Sequence, residues 1–444
     1  MRCFSLMLLI LTAMCLSAAY AETPPAQNLW GEITDGFDAT INIRGFGVIQ
    51  EVVDSTLNRD NVLEIPRYRA EINFRPDFYL DFRRLSLSVK PRWEGRWREW
   101  DDGVLDGDSE TDDELFVNEW LAQLRLHDQL FVSYGRENLQ WGPSYLLSPS
   151  NPFFQNNGRN NPQMELPGLD YARVVWIPSS TWTASFIVNT DEGTQELIQE
   201  FEETYALKVD YVGEETFFSL IPSHQEGEDV VLGLFAGWNV SDPLLLYGEG
   251  SVSTEDDDAR VLVGGSYTLK TGATISLEFY HNQGGCTLEP FERCFGIETS
   301  ADQIESAADA LQQAYENVDL SGLTTLPEWY MAIEEAVRDA FEGRPVEETA
   351  GFNIEDLDYV AYLVRENYSL LQFTDTRIKD RLNIILRWIH NFDDSSDHTI
   401  GIVEYEVGDH ATIFTIGNLF LGGEDTEFGS LLSYSLMAGI SYTF

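Results

Sequence analysis

The densest chemistry in the chain lies in residues 83–98 (RRLSLSVKPRWEGRWR), where cations alternate with apolar residues. Arg84, Ser86, Ser88, Lys90, Arg92, Glu94, Arg96 and Arg98 share one parity; Leu85, Leu87, Val89, Pro91, Trp93, Gly95 and Trp97 share the other. A period of two belongs to a strand whose faces meet different surroundings. The stretch before it repeats the pattern, with Tyr68, Ala70, Ile72 and Phe74 against Arg67, Arg69, Glu71, Asn73 and Arg75. Arg44 and Arg125 extend the set, and Arg381 and Arg387 lie on a later alternating stretch opposite Leu382, Ile384, Leu386 and Trp388. Eleven of the 27 Lys and Arg fall within residues 44–98, although the chain's formal net charge is −48. Guanidinium groups offer forked donors to carboxylate or sulfate, and cations along a low-dielectric wall focus their field on a passing anion. The competing use is bracing, in which these cations pair with Glu71, Glu94, Glu119, Asp210, Glu278, Glu404 and Glu406.

Cations on one face with aliphatic and aromatic residues on the other require strands whose outer surface meets lipid. Alternating segments with turn chemistry between them run near 38–52, 64–77, 83–99, 115–127, 129–138, 168–178, 181–190, 203–212 and 214–222. They continue near 230–239, 243–253, 259–270, 272–282, 362–374, 379–391, 398–407, 411–420 and 432–444. Eighteen segments, an even number, predict an all-β, transmembrane antiparallel β-barrel. Links such as 78–82, 179–180 and 408–410 are short, whereas 53–63, 100–114, 139–167, 191–202, 283–361 and 421–431 are long. That alternation suits periplasmic turns and extracellular loops, with the N- and C-termini in the periplasm of a Gram-negative cell.

The chain's two ends agree. Residues 433–444 (SYSLMAGISYTF) alternate and finish on Phe444, which resembles the C-terminal strand by which outer-membrane barrels are recognised and assembled. Residues 1–21 have one early cation, an apolar stretch and Ala19-Tyr20-Ala21, so they predict a secretory signal removed before a barrel of residues 22–444. Met14 before Cys15 lacks the small residue that a lipoprotein signal needs. Cys286 and Cys294 are then the remaining thiols of an exported chain, where a disulfide persists. The expected partners are outer-membrane lipid, lipopolysaccharide and the barrel assembly machinery.

Residues 135–168 hold five prolines with many Asn and Gly, so they form neither strand nor helix throughout. Yet Leu139, Trp141, Tyr145, Leu146, Leu147, Phe153 and Phe154 are too apolar for water, which predicts a loop folded inward to constrict the lumen. Its expected constriction residues are Arg136, Trp141, Tyr145, Asn151 and Phe153. The run Gly135-Arg136, Trp141-Gly142-Pro143, Leu147-Ser148 and Asn151-Pro152 resembles a segment of Wzi-type capsule-assembly barrels and, less closely, of alginate-export barrels. That resemblance implies an anionic polysaccharide as partner, passed out or held at the surface.

The longest link, 283–361, carries apolar residues at helical spacing (Ile304, Ala307, Ala308, Leu311; Trp329, Ile333, Ala336, Val337), which predicts an extracellular helical insert. Residues 99–114 hold nine carboxylates and no base. Asp101, Asp102, Asp106 and Asp108 could meet a divalent ion, but they lack the spacing of a calcium loop. No Gly-x-Ser-x-Gly elbow, paired-His metal motif or exposed basic nucleic-acid patch is present. Neither catalysis, a cofactor, a metal nor nucleic-acid binding is expected. The reading is an Arg-lined outer-membrane barrel for an acidic solute, with a general or anion-selective diffusion porin, or a closed scaffold barrel, as alternatives.

Overall fold

The computed structural model describes residues 29–103, 105–159, 162, 165–194, 201–227, 230–254, 258–289, 291, 294, 363–378 and 381–444. The signal segment and the helical stripes of the long insert lie outside the described residues.

After a short helix α1 (Leu29–Asp35), strands occur in nearly every place where the alternation puts them. They are β1 (Phe37–Val52), β2 (Tyr68–Phe82), β3 (Leu85–Glu99), β4 (Ser109–His127), β5 (Leu130–Glu137) and β6 (Leu169–Trp176). Next come β7 (Trp182–Asp191), β8 (Thr204–Val212), β9 (Thr216–Gln225), β10 (Val230–Ser241), β11 (Leu244–Ser253) and β12 (Ala259–Thr268). The last six are β13 (Thr274–Asn282), β14 (Asn367–Ile378), β15 (Leu382–Asn391), β16 (Asp397–Val407), β17 (Ala411–Leu421) and β18 (Leu432–Thr443). Each pairs antiparallel with its neighbours, and β18 closes on β1 in the register Gly45↔Ile440. The result is a closed 18-stranded barrel with no free edge.

Among the boundaries that differ from the expected ones, three bear on the charged residues. β2 runs on to Phe82, so its turn is at 83–84 rather than 78–82. β4 starts at Ser109, because the carboxylates of 110–114 extend the strand opposite 94–98 instead of forming a loop. β15 begins at Leu382, which leaves Arg381 exposed in the preceding turn and out of the lumen.

Outside, Ile72, Phe74, Val89, Leu234, Val263, Leu386 and Ile413 form an apolar band, each at least 40 % exposed. Aromatic residues gather at both rims. Trp176, Trp182, Trp238, Tyr267, Tyr405 and Tyr442 mark the end with the short turns, and Trp97, Phe279, Trp388 and Phe392 the end with the long loops. Such belts suit two lipid–water interfaces.

Inside, the halves differ. On β11–β18 many inward positions are apolar and packed among a few buried polar groups: Tyr247, Leu262, Tyr280, Leu370, Ile389, Ile400, Ile402, Phe414, Ile416 and Met437 form one buried cluster with Leu146 of the inward loop.

Above this packed half, the loop end is clamped. Cys286 and Cys294 form a disulfide with a Cα separation of 5.7 Å. The Cys286 amide donates to the Val364 carbonyl at 2.8 Å, and the Phe291 amide to the Asp425 carbonyl at 2.9 Å. Glu427 accepts hydrogen bonds from the Val364 amide, the Tyr368 hydroxyl and the Asn391 side chain. Burial pushes its carboxyl up to about 8, against the opposing effect of those donors.

Candidate functional site

The charged half of the lumen is built by β1–β4. β2 and β3 pair Arg69 with Arg98, Glu71 with Arg96 and Asn73 with Glu94. Two cations directly opposite each other repel, and Glu71, 3.3 Å from Arg69, offsets that cost. Arg96 bridges Glu94 at 3.1 Å and also approaches Glu114 and Asp112. Lys90 meets Glu119 at 2.9 Å, and Arg67 meets Glu51. Carboxylates therefore accompany most of this wall, several of them from the stretch expected to be a free acidic loop.

Between Phe74↔Trp93 and Phe78↔Val89 the β2–β3 ladder is interrupted, and Pro76 and Pro91 face each other in the gap. Neither proline has an N–H to donate. The Arg92 guanidinium fills the gap, with Nη1 donating to the carbonyls of Pro76 (3.1 Å) and Pro91 (2.9 Å). Its Nη2 reaches Asp77 at 2.9 Å, and the side chain is only 3 % exposed. Backbone geometry thus fixes the direction in which this cation points.

A bulge on the β4 side of Lys90/Pro91 turns both Asn118 and Glu119 towards the lumen. Asn118 grips the far end of the inward loop: its amide donates to the Leu166 carbonyl (3.1 Å), and its oxygen accepts from the Gly168 amide (3.3 Å) and the Thr194 hydroxyl (3.1 Å).

That loop, 138–168, crosses the lumen. Near β6 and β7, Trp141 and Phe153 pack on Leu169, Tyr171 and Ile187, with ring centroids 6.0 Å apart for Trp141–Phe153 and 5.0 Å for Phe153–Tyr171. Asn151 ties the turn by accepting from the Phe153 amide and donating to the Leu139 carbonyl. On the opposite wall two buried carboxylates hold the loop. Glu249 accepts from the hydroxyls of Ser144 and Ser150, both at 2.7 Å. Glu278 accepts from the amides of Tyr145 (2.7 Å) and Leu146 (2.9 Å) and from the Tyr247 hydroxyl (2.6 Å). Gly142, at φ +86°, lies so close to Glu249 that a Cβ there would sit 2.3 Å from the carboxylate. The loop then returns to the charged wall, where Glu165 meets Arg75 at 2.6 Å and Arg92 at 2.7 Å.

Beside that contact is a cavity of about 260 Å³ lined by Asn42, Arg44, Arg75, Asp77, Arg92, Pro162 and Ser441. Three arginines thus line one small space, with Glu165 against Arg75 and Arg92 and Asp77 against Arg92. The other expected lumen cations lie elsewhere. Arg125 donates to the Arg83 carbonyl (3.1 Å) at the short-turn end, in a second cavity of about 290 Å³ with Arg83 and Arg84. Arg387 is inward but buried in the packed half, donating to Gln372 at 2.9 Å. Arg136 pairs with Asp170 at 2.7 Å beside the loop's root. The Tyr145 ring lies under Arg159, 5.4 Å from its centroid. Among the described residues no cluster of acids, histidines or cysteines could hold a metal ion.

Sequence reasoning missed Asp77, Asn118, Glu165 and Glu249. One signal was available for Glu165, the lone carboxylate between Asn138 and Gly168 in a loop expected to enter an Arg-lined lumen.

No family model and no curated protein matches the sequence. Solved structures do match. The outer-membrane protein OprD from Pseudomonas aeruginosa aligns with a TM-score of 0.54 at 7 % identity, over 92 % of this chain and 94 % of that one. OccAB3 from Acinetobacter baumannii gives 0.53 at 10 % identity, covering 92 % and 99 %. OccK5 from P. aeruginosa gives 0.52 at 9 %, covering 92 % and 98 %. At such identities the likeness shows the fold, which is that of the OprD/Occ barrels. It corrects the resemblance to Wzi-type capsule-assembly and alginate-export barrels, because the structural neighbours are OprD/Occ porins. The residues that carried that resemblance have local duties. Gly135 passes close to the Trp120 carbonyl, Arg136 pairs with Asp170, and Gly142 and Asn151 shape the loop. Any loop that crosses a lumen has need of such residues, whatever the solute.

Proposed function

We propose that the protein is an outer-membrane diffusion channel selective for small anionic solutes, with a path along Arg44, Arg75 and Arg92. The observation that carries this reading is the convergence of those three guanidinium groups on one cavity beside a loop that crosses the lumen. The OprD/Occ fold supports a substrate-specific channel over a polysaccharide exporter, and a space of about 260 Å³ suits a small solute rather than a polymer. The termini and short turns face the periplasm, and the long loops face outward. Each guanidinium attracts a hydrated carboxylate by only about 1 kcal/mol, which lets a solute bind and still leave.

Purified protein in planar bilayers under a KCl gradient should show a reversal potential favouring chloride. Changing Arg75 and Arg92 together to Gln should reduce that preference several-fold. A wild-type pore that prefers cations would sink the proposal. A protein that conducts nothing would instead favour a closed scaffold barrel, the reading to which the packed β11–β18 half points.

A further inference from the structure

We infer that Glu165 is a tethered counter-anion: it occupies the Arg75–Arg92 site in the resting channel and gives way to the carboxylate of a passing solute. This rests on the anion-channel reading and adds to it how the site is kept ready. The Glu165 carboxylate touches Arg75 at 2.6 Å and the Arg92 Nε at 2.7 Å. Asp77 already holds the far edge of Arg92 at 2.9 Å. With Glu165 docked, the guanidinium pair faces two carboxylates and is neutral; with Glu165 withdrawn, one positive charge is available to an incoming anion.

The loop is fastened around Glu165 rather than by it. Asn118 holds the backbone at Leu166 and Gly168, and the Arg159 guanidinium donates to the Gly142 and Pro143 carbonyls. Among the described residues, the side chain itself is held by the two arginines. Its release therefore needs a rotamer change, not movement of the loop. Exchanging one carboxylate for another leaves neither arginine bare, so the full cost of stripping partners from a poorly hydrated cation is never met. A chloride ion offers no such forked match, and a cation is repelled once Glu165 is displaced. The site should accordingly favour carboxylates over both.

The test uses the full-length channel in planar bilayers, with potassium acetate as the carboxylate probe and KCl as reference. In E165Q, whose amide is the same size but uncharged, the anion-to-cation permeability ratio should rise several-fold. The acetate concentration at half-maximal conductance should fall by a similar factor. E165D, one methylene shorter, should shift both in the same direction by less, and it serves as the probe if E165Q assembles poorly. A ratio and half-saturation unchanged or moved the other way would overturn the inference. If the double Gln variant at Arg75 and Arg92 loses anion preference while E165Q matches wild type, the anion path stands and the counter-anion role fails. If neither variant alters selectivity, the anion path itself is wrong.

Discussion

The β1–β4 wall and the β11–β18 wall adjoin at the β18–β1 seam and are bridged by loop 138–168, and their inward positions are filled by different means. One carries Arg69, Arg75, Lys90, Arg92 and Arg96, each beside a carboxylate. The other carries Ile389, Ile400, Phe414 and Met437, each at most 2 % exposed. Outside, the two are indistinguishable, because lipid imposes the same apolar alternation on both. The difference shows that an inward barrel face need not be polar throughout. Part of it can pack like the core of a soluble domain. Loop 138–168 needs both walls: apolar contact and buried carboxylates on one side, ion pairs on the other.

The comparison breaks hardest at the packed wall. Phe414→Ala should destabilise the barrel by about 3–5 kcal/mol through the cavity it leaves, read as a lower temperature of heat modification on gels. Anion preference should be retained, since Arg75 and Arg92 are held by Glu165 and Asp77 rather than by this cluster. Of comparable size is Glu278→Ala, which strands the amides of Tyr145 and Leu146 and the Tyr247 hydroxyl. Each donor left unsatisfied costs about 1–3 kcal/mol. The loop should loosen, and single-channel conductance should rise and become noisier.

A smaller effect comes from pH at the clamp above the packed wall. The Glu427 carboxyl titrates at about 8 in the folded chain, above its ordinary value of 4.5. The folded state then binds the extra proton between those values, so its contribution is full below about pH 4.5 and is lost as pH rises through about 8. Hydrogen exchange at the Val364 amide, which donates to Glu427, should accelerate from pH 5 to pH 8 beyond the intrinsic rate, as an order-of-magnitude window set by that shift. Glu427→Gln should remove that excess. Least of all, changing Cys286 and Cys294 to Ser should loosen the 286–294 segment to proteolysis while leaving conductance and heat modification unchanged.

Much of the barrel was legible because lipid enforces period two without regard to what the lumen does. All eighteen strands could be placed from that alone. The failures came where a second rule took over. The expected segment 64–77 stopped just past Pro76, yet β2 runs on to Phe82, with Pro91 opposite Pro76 so that the missing donors coincide. The acidic run 110–114 looked like solvated loop, yet it continues β4 because Arg96 and its neighbours await it across the ladder. The packed wall left a trace in residues 382–389 (LNIILRWI), where Ile385 and Ile389 share a parity with Arg387, but attention to the cation hid the isoleucines. Loop contacts such as Glu165 with Arg92 join residues 73 positions apart. No periodicity encodes such a pairing.

The facing prolines also bear on how the position of Arg92 is inherited and redesigned. A channel whose binding groups hang on flexible stems can be retuned by swapping any of them, and each swap drifts. Here Arg92 is seated in a hole of the sheet itself, so its position is a property of two neighbouring strands rather than of its own rotamer. Replacing Pro76 and Pro91 with residues that donate would mend the ladder and evict the guanidinium without touching its charge. Where this cation points is thus written partly in which backbone hydrogens are missing.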